Sequence, residues 1–556
     1  MSSSWLGLVV GLGVGMGCRA ETKSDDDDLS DTVDIPDDGT TGGTTEPEVV
    51  DVDGDGHPAD TDCDDENGAV YPGADETCNG RDDDCDGDVD EDAVDAFWTY
   101  GDADGDGYGG VEARSVCTVE DGWVRSDGDC DDTNPEVHPG ATELCDAVDR
   151  DCDGMLHPEG RFADFIGLSG DVTHIAAEGT TEWAQPVLLD ASGTLQVCEG
   201  AFPVQLEVSA ESLEIVGWGA DTSILDGRGG TVVALTTPGQ VVSMLGITIQ
   251  NGGNTGFEGA GITTREAWDV SLSLTDVAVT RNVGERIGAG IMLAGDLSAT
   301  SVQIYDNTLS FDHADEPDLE NYFNCEGAGA YVSGDVVLED VAIFDNTVEC
   351  VASNGVGAPR VWGGGLSVGS TLVAVDSQIQ DNVAHVHIDS GYSGQAVAAG
   401  AYVYAGATLV GVEVSGNQAS VTGTCRPDTS CHRTAGAGGL SIPGDSVLED
   451  SLVVGNSVEV PGSDDTAIGG GVEAGVGDFV CRCTDPEAMD CGVYGNVARE
   501  GGGLWFVSGS GEEATLTSEG CDWTGSADNV PDDVGGWQSY PAGDDAWFYC
   551  DVDGCG

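Results

Sequence analysis

The sequence predicts an all-β chain: a solenoid of short parallel strands preceded by a small, mostly irregular, disulfide-rich module. Three observations carry that expectation. From about residue 240 onward, asparagine recurs every 25 to 40 residues inside one template of alternating apolar positions. The chain holds 86 glycines and few long amphipathic runs, which points away from helix. An aspartate-and-cysteine pattern is written twice in the first 160 residues, where large apolar residues are too scarce to build a core.

The first element is an export signal. Residues 5–14 (Trp5 to Val14) form an apolar stretch too short to span a membrane as a helix. It ends at Gly15-Met16-Gly17-Cys18, which looks like a bacterial lipoprotein signal, with residues 1–17 removed and Cys18 lipidated. Nineteen cysteines belong in an oxidising compartment, and setting Cys18 aside leaves an even number for pairing. Residues 18–50 carry acidic and Thr/Gly-rich runs with no apolar period, the composition of a flexible linker. The expected place is the outer membrane or cell surface, with the membrane as partner through the lipid anchor. A formal charge of −88 with only 16 basic residues excludes nucleic acid, whose phosphates would be repelled.

Residues 51–160 hold the two copies. The first runs from Asp51, Asp53, Asp55 and Gly56 through Asp62-Cys63-Asp64-Asp65-Glu66-Asn67 to Cys78 and then Asp82, Asp84, Cys85, Asp86 and Gly87. The second runs from Asp102, Asp104, Asp106 and Gly107 through Asp129-Cys130-Asp131-Asp132-Thr133-Asn134 to Cys145 and then Asp149, Asp151, Cys152, Asp153 and Gly154. About a third of this segment is acidic. Two carboxylates about 4 Å apart repel by roughly 4 kcal/mol at an effective dielectric near 20, so a cation must neutralise them. Ca2+ fits, because it takes six to eight oxygens. In the first loop Asp51, Asp53 and Asp55 fall at positions 1, 3 and 5 of a calcium loop, with Gly56 at 6, the His57 carbonyl at 7 and Asp62 at 12. The expectation is several Ca2+ ions. Their candidate ligands are these aspartates of both copies together with Asn67 and Asn134. Cys145 and Cys152 flank Asp149 and Asp151, so a Cys145–Cys152 bond is expected to close that loop. Cys78–Cys85 is expected as its counterpart, and Cys117–Cys130 beside them; Cys63 has no obvious local partner.

The DCDDxN…PGAxExC…DxDCDG string resembles the MopE-type metal-binding motif of surface and secreted bacterial proteins. That family's label mentions copper. Carboxylate-rich loops suit Ca2+, whereas copper prefers imidazole or sulfur.

The solenoid follows, over residues 161–540, with 541–556 as a C-terminal cap segment. Asn282, Asn307, Asn346, Asn382, Asn417, Asn456 and Asn496 mark its register. Mostly apolar residues stand three, five, eight and ten positions before each: Ile343, Val341, Leu338 and Val336 before Asn346, for example. Period two, a step, then period two again describes two strands joined by a bend, occupied by Asp276, Asp340, Asp376 and Asp450. A glycine-led strand, such as Gly365-Leu366-Ser367-Val368, precedes each pair, giving three strands per repeat. The asparagines are expected to stack as a hydrogen-bonded ladder.

This pattern resembles a right-handed parallel β-helix, as in pectate-lyase-like proteins and polymorphic outer-membrane-protein repeats; Asn382-Val383-Ala384 and Asn417-Gln418-Ala419 match the latter's Asn-x-Ala. Variation in repeat length collects after the asparagine, at 308–326, 347–362, 383–398, 418–435 and 457–468. Two readings stand side by side. These are loops displaying Phe311, Tyr322, Phe323, Trp362 and Tyr392 beside Asp312, Asp315, Glu316, Asp318 and Glu320, a composition suited to carbohydrate; or they pack on one another, stapled by Cys325–Cys350 and Cys425–Cys431. His385 and His387, on one side of a strand, read as surface histidines. The expected function is a non-catalytic, surface-anchored calcium-binding lipoprotein whose β-helix serves adhesion, to a glycan or another surface protein. The alternative is a polysaccharide lyase or glycoside hydrolase. Against it stands Lys23, the only lysine, which lies in the linker and leaves a lyase base to an arginine.

Overall fold

A computed structural model describes residues 50–555 apart from short internal stretches, among them 177–185, 254–258, 313–321, 426–431, 485–490, 522–528 and 539–545. The signal, Cys18 and the linker lie outside the described residues, as do Cys431 and with it the expected Cys425–Cys431 bond. No described helix is long and apolar enough to cross a membrane. The chain divides into two compact units. Of the described residues, one comprises 50–97 with 115–117, and the other the remainder.

Within the second unit, strands of successive coils pair in parallel. Each coil contributes one strand to a 14-stranded sheet and two to a 21-stranded sheet. Leu366–Val368, for instance, pairs with Ala330–Val332 on one side and with Ala401–Val403 on the other. The alternating positions read from the sequence face inward: Leu338, Ile343, Ala374, Ile379, Leu409 and Val414 are all buried. The bends that join the paired strands are left-handed at Asp276, Asp340, Asp376 and Asp450, with φ between 48° and 54°. Aspartate tolerates that region better than most residues.

The expected ladder is present, and each asparagine is fully buried. The Asn382 carboxamide oxygen accepts from the backbone N–H of Asn346 (3.1 Å) and from its side-chain amide (3.0 Å). Its own Nδ2 donates to the Ile343 carbonyl at 2.9 Å and to Asn417 Oδ1 at 3.0 Å. The column continues one coil further than the sequence reading carried it, through Asn529, which accepts from the Asn496 N–H. Glycine opens the next strand because the ladder packs there: a Cβ on Gly365 would stand 2.8 Å from Asn382 Cγ and 2.9 Å from the Gly400 carbonyl.

The post-asparagine insertions resolve in favour of mutual packing. They are strands, two per coil, in two further parallel sheets. One holds Val283–Gly284, Thr308–Asp312, Thr347–Ala352, Val383–Gly391, Gln418–Cys425 and Ser457–Glu459. The other holds Tyr322–Glu326, Ala358–Trp362, Ser393–Val397, His432–Gly436 and Thr466–Ile468. They enclose a second core of Leu309, Phe311, Phe323, Val348, Val386 and Ile388, with the Cys325–Cys350 disulfide inside it. Phe311 and Phe323 meet edge to face at 5.2 Å and are buried, so they are not displayed aromatics. Asp315, Glu316, Asp318, Glu320 and Tyr392 lie outside the described residues.

The stack does not begin as it continues. Arg161–Gly167 runs antiparallel to Gly193–Val197, and Val172–Ala176 folds back on it. Phe162, fully buried, packs edge to face on Phe202 at 5.2 Å. At the other end Val534–Gln538 pairs antiparallel with Ala546–Asp551.

Replacing Asn382 with Ala removes the acceptor of the buried Asn346 backbone N–H, one acceptor of its side-chain amide, and the side-chain donor to the Ile343 carbonyl. A buried group so orphaned costs about 1–3 kcal/mol. Asn382→Ala should therefore destabilise the β-helix by about 2–4 kcal/mol in denaturant unfolding, whereas Gln378→Ala on the exposed face should stay within about 0.5 kcal/mol.

Candidate metal centre

Each acidic loop closes on its own backbone in the same way. The first aspartate accepts from the glycine N–H five residues on: Asp51 from Gly56 (3.1 Å), Asp82 from Gly87 (3.1 Å), Asp102 from Gly107 (3.3 Å) and Asp149 from Gly154 (2.9 Å). The second accepts from the third aspartate's N–H at 3.1–3.2 Å in all four loops. The third accepts from the N–H two residues further, at 2.8–3.0 Å. The loop glycines sit at φ 87° to 105°, conformations that favour residues without a side chain.

At the second and third aspartates this closure uses one oxygen and leaves the other over, whereas Asp51 and Asp102 accept with both. In the first unit Asp53 Oδ2, Asp55 Oδ2 and Asp62 Oδ2 are buried with no hydrogen-bond partner. In the second unit the corresponding atoms, Asp104 Oδ2, Asp106 Oδ2 and Asp129 Oδ2, are in the same condition. Asp62 and Asp129 are only 8% and 6% exposed. Carboxylate oxygens of Asp51, Asp53 and Asp55 come within 4.8 Å of one another, as do those of Asp82, Asp84 and Asp86. Burying anionic oxygens unpaired is strongly unfavourable, and the donor set is what a bound cation requires.

Asp62 does not owe its place to position 12 of a loop. It lies 7 residues after Asp55, whereas Asp129 lies 23 after Asp106 (62 − 55 against 129 − 106), yet both orphan the same atom. The additional 16 residues include Trp123–Val124, paired antiparallel with Tyr100–Gly101, and Arg114, whose guanidinium stacks 3.8 Å over Trp123. What Asp62 and Asp129 share is the cysteine that follows.

That cysteine corrects the expected pairing. The bonds are Cys63–Cys85, Cys78–Cys117, Cys130–Cys152 and Cys145–Cys198, not Cys78–Cys85, Cys117–Cys130 and Cys145–Cys152. Cys85 and Cys152 adopt left-handed backbone angles (φ 61° and 59°), and their sulfurs accept from the N–H of Cys63 and Cys130. The disulfide thus ties the Asp62 or Asp129 segment to the later acidic loop of its copy instead of closing that loop on itself. In the second unit Cys145–Cys198 joins the repeat to the first coils of the β-helix. The buried Asp164 adds a bond from the Cys145 N–H (2.8 Å), and the Trp218 indole donates to the Cys145 carbonyl (2.9 Å).

Three participants were not singled out in the sequence. Glu76 Oε1 accepts from the N–H groups of Asp83 (2.5 Å) and Asp84 (2.8 Å), and a carboxylate oxygen of Glu76 clusters with those of Asp84 and Glu91. Glu143 repeats the arrangement: Oε1 holds the Arg150 and Asp151 N–H groups, and Oε2 is buried without a partner, as is Glu91 Oε2. The signal was the Glu-x-Cys shared by both copies. The remaining candidates surround the loops. Asp65 and Asp132 accept from the N–H of Val52 and Ala103; Asp64 pairs with Arg81 at 3.4 Å; Asp131 accepts from the Thr133 hydroxyl. Asn67 and Asn134 shape turns, their carbonyls accepting from Val70 and Val137. A ring stack recurs with its partners exchanged, His57 on Tyr71 (5.0 Å) and Tyr108 on His138 (5.1 Å). Outside the repeats, His385 bonds Ser420 and Thr422, and His387 bonds Thr422.

Family comparison agrees with this geometry. The Cu-binding MopE family, described as "Putative metal-binding motif", matches residues 62–91 and 129–158. No curated protein and no solved structure matches the chain. The segments matched are those that hold Asp62 and Asp129, both disulfides closed by Cys63 and Cys130, and the second loop of each copy.

Burial, helped by neighbouring carboxylates, raises Asp53 (Asp55, Asp62, Asp51), Asp84 (Asp86, Glu76, Asp82), Asp129 (Asp106, Asp104, Asp132) and Glu143 (Asp151, Asp149). A carboxyl raised on folding holds its proton more tightly in the native state. Without metal, its contribution to stability is therefore largest in acid and falls as pH rises from the ordinary carboxylate range through the raised value. Chelated protein should show a lower unfolding midpoint for residues 51–159 at pH 6.5 than at pH 4.5, and added metal should remove the difference while releasing protons measurable by calorimetry.

Proposed function

We propose that the chain is an exported, lipid-anchored surface protein whose two repeats bind Ca2+ and whose β-helix serves adhesion, to a glycan or to another surface protein. The observation that carries the calcium reading is the set of buried, unpartnered oxygens on Asp53, Asp55 and Asp62 and again on Asp104, Asp106 and Asp129. All are hard carboxylate donors, which suit Ca2+. The thiolates that copper prefers are engaged elsewhere, since the repeat cysteines are in disulfides. The disulfides also support an oxidising, extracytoplasmic setting. Cys18 supports the lipid anchor, and the linker behind it would hold the folded part away from the membrane.

Extracellular sites of this ligand type bind Ca2+ with a Kd of roughly 10⁻⁴ to 10⁻³ M. At about a hundredfold excess over Kd, binding to the native state alone contributes about 2.7 kcal/mol, enough to switch a module with almost no apolar core. Millimolar Ca2+ should protect residues 51–159 from proteolysis in the otherwise native protein, and chelation should reverse it. Asp62→Ala should remove Ca2+ protection from the first copy and leave the second. Absence of Ca2+ uptake by calorimetry, or tighter uptake of Cu2+ at the same carboxylates, would reject the calcium assignment. The anchor is tested separately: Cys18→Ser should move the protein from the membrane fraction to the soluble fraction.

A further inference from the structure

Where the glycine-led sheet faces the neighbouring lateral sheet, the two leave a cavity of about 290 Å3, lined by Trp362, Gln395, Val397, Tyr402, Ser441 and Glu473 among others. Its geometry follows from strand alternation. Ala401 and Val403 point into the main core, so Tyr402 between them points out; Val472 and Ala474 do the same for Glu473, two coils further along. Trp362, the last residue of its lateral strand, stacks on Tyr402 with centroids 5.3 Å apart and planes 21° apart, forming one aromatic plate. On the lateral strand beyond, the side chain is absent where the carboxylate arrives: a Cβ on Gly436 would stand 2.5 Å from Glu473 Oε2.

We propose that this cavity binds an alkylammonium group, with the Glu473 carboxylate as its counter-charge and the Trp362–Tyr402 plate against its methylene or methyl groups. Among the described residues, no lysine or arginine lines the cavity and Glu473 has no hydrogen bond or ion pair. A half-buried acid in a cavity without a counter-ion is the arrangement that a cation satisfies. Cations are also drawn to aromatic faces within about 6 Å of the centroid. A chain of formal charge −88 attracts cations before contact. Burial pushes Glu473 up to about 7. Tyr402 is the titratable side chain beside it, itself raised by burial, and Tyr402 in turn faces Tyr404 and Glu326. Glu326 is also raised by burial, against the pull of Asn324 and Arg286.

The test uses the full-length, disulfide-bonded protein with choline chloride and N-acetyl-lysine methylamide as probes, read by calorimetry and ligand-observed NMR. With a pKa of about 7, Glu473 is about a tenth ionised at pH 6 and about nine-tenths at pH 8. Binding of either probe should therefore tighten about tenfold over that interval, and the preferred probe distinguishes a quaternary from a primary ammonium. Glu473→Gln should weaken binding at pH 8 about tenfold or more and remove the pH dependence. Trp362→Leu should weaken binding while leaving the pH dependence in place. Unchanged affinity between pH 6 and 8, full binding by Glu473→Gln, or tighter uptake of a neutral methyl glycoside than of either cation would overturn the proposal. The wild-type pH course decides the matter even if a variant fails to fold.

Discussion

One interaction sets the register of the β-helix: the column of buried asparagine amides from Asn282 to Asn529. Each carboxamide bonds the backbone of the preceding coil and the carboxamide of the next at once, so the coils along this column are fixed to one another. The glycines that open each following strand exist because the ladder fills the space where a Cβ would be. The left-handed aspartates and glycines just before each asparagine, such as Asp345, Asp381 and Gly416, turn the chain so that the amide points inward. Insertions are therefore tolerated only downstream of the asparagine, after the register has been set. There they have grown their own sheets and core.

The metal repeats solve the opposite problem. They have little to bury, and their organising groups are charges of one sign. Backbone N–H groups take one oxygen of the second and third aspartate of each loop, two disulfides hold the segments of Asp62 and Asp129, and the remaining oxygens are left for an ion. The exchange of His57–Tyr71 for Tyr108–His138 shows that the two copies keep a contact while changing the residues that make it.

Much of the β-helix was legible in the sequence because its signals are local and periodic. Alternation at Val336, Leu338, Val341 and Ile343 names both the strand and its buried face, and the asparagine names the register. The lateral sheets were legible too, in Ala384, Val386 and Ile388 or in Leu309 and Phe311, but sequences of variable length invite a loop reading. The disulfides were not legible. Nearness in sequence favours Cys78–Cys85, yet the loop between them is held open by Glu76 gripping the Asp83 and Asp84 N–H groups, and Cys85 turns instead toward Cys63, 22 residues away. Which oxygens would be left unpartnered was likewise a property of the folded loops, although the position of Asp62 and Asp129 before a shared cysteine was visible in both copies.

The antiparallel strand at the start of the β-helix has a consequence beyond covering the first coil. A parallel stack exposes, at either end, a row of unpaired peptide groups identical in spacing to those inside it, and such an edge recruits any chain of the same kind. Arg161–Gly167 lies across the first coil in the reverse direction, and its outer edge is taken by Val172–Ala176. Another copy's coil meets this two-strand flap there and not the edge of Gly193–Val197. Cys198 directly follows the strand that Arg161–Gly167 covers, so the Cys145–Cys198 bond fixes a metal-binding repeat beside this covered edge.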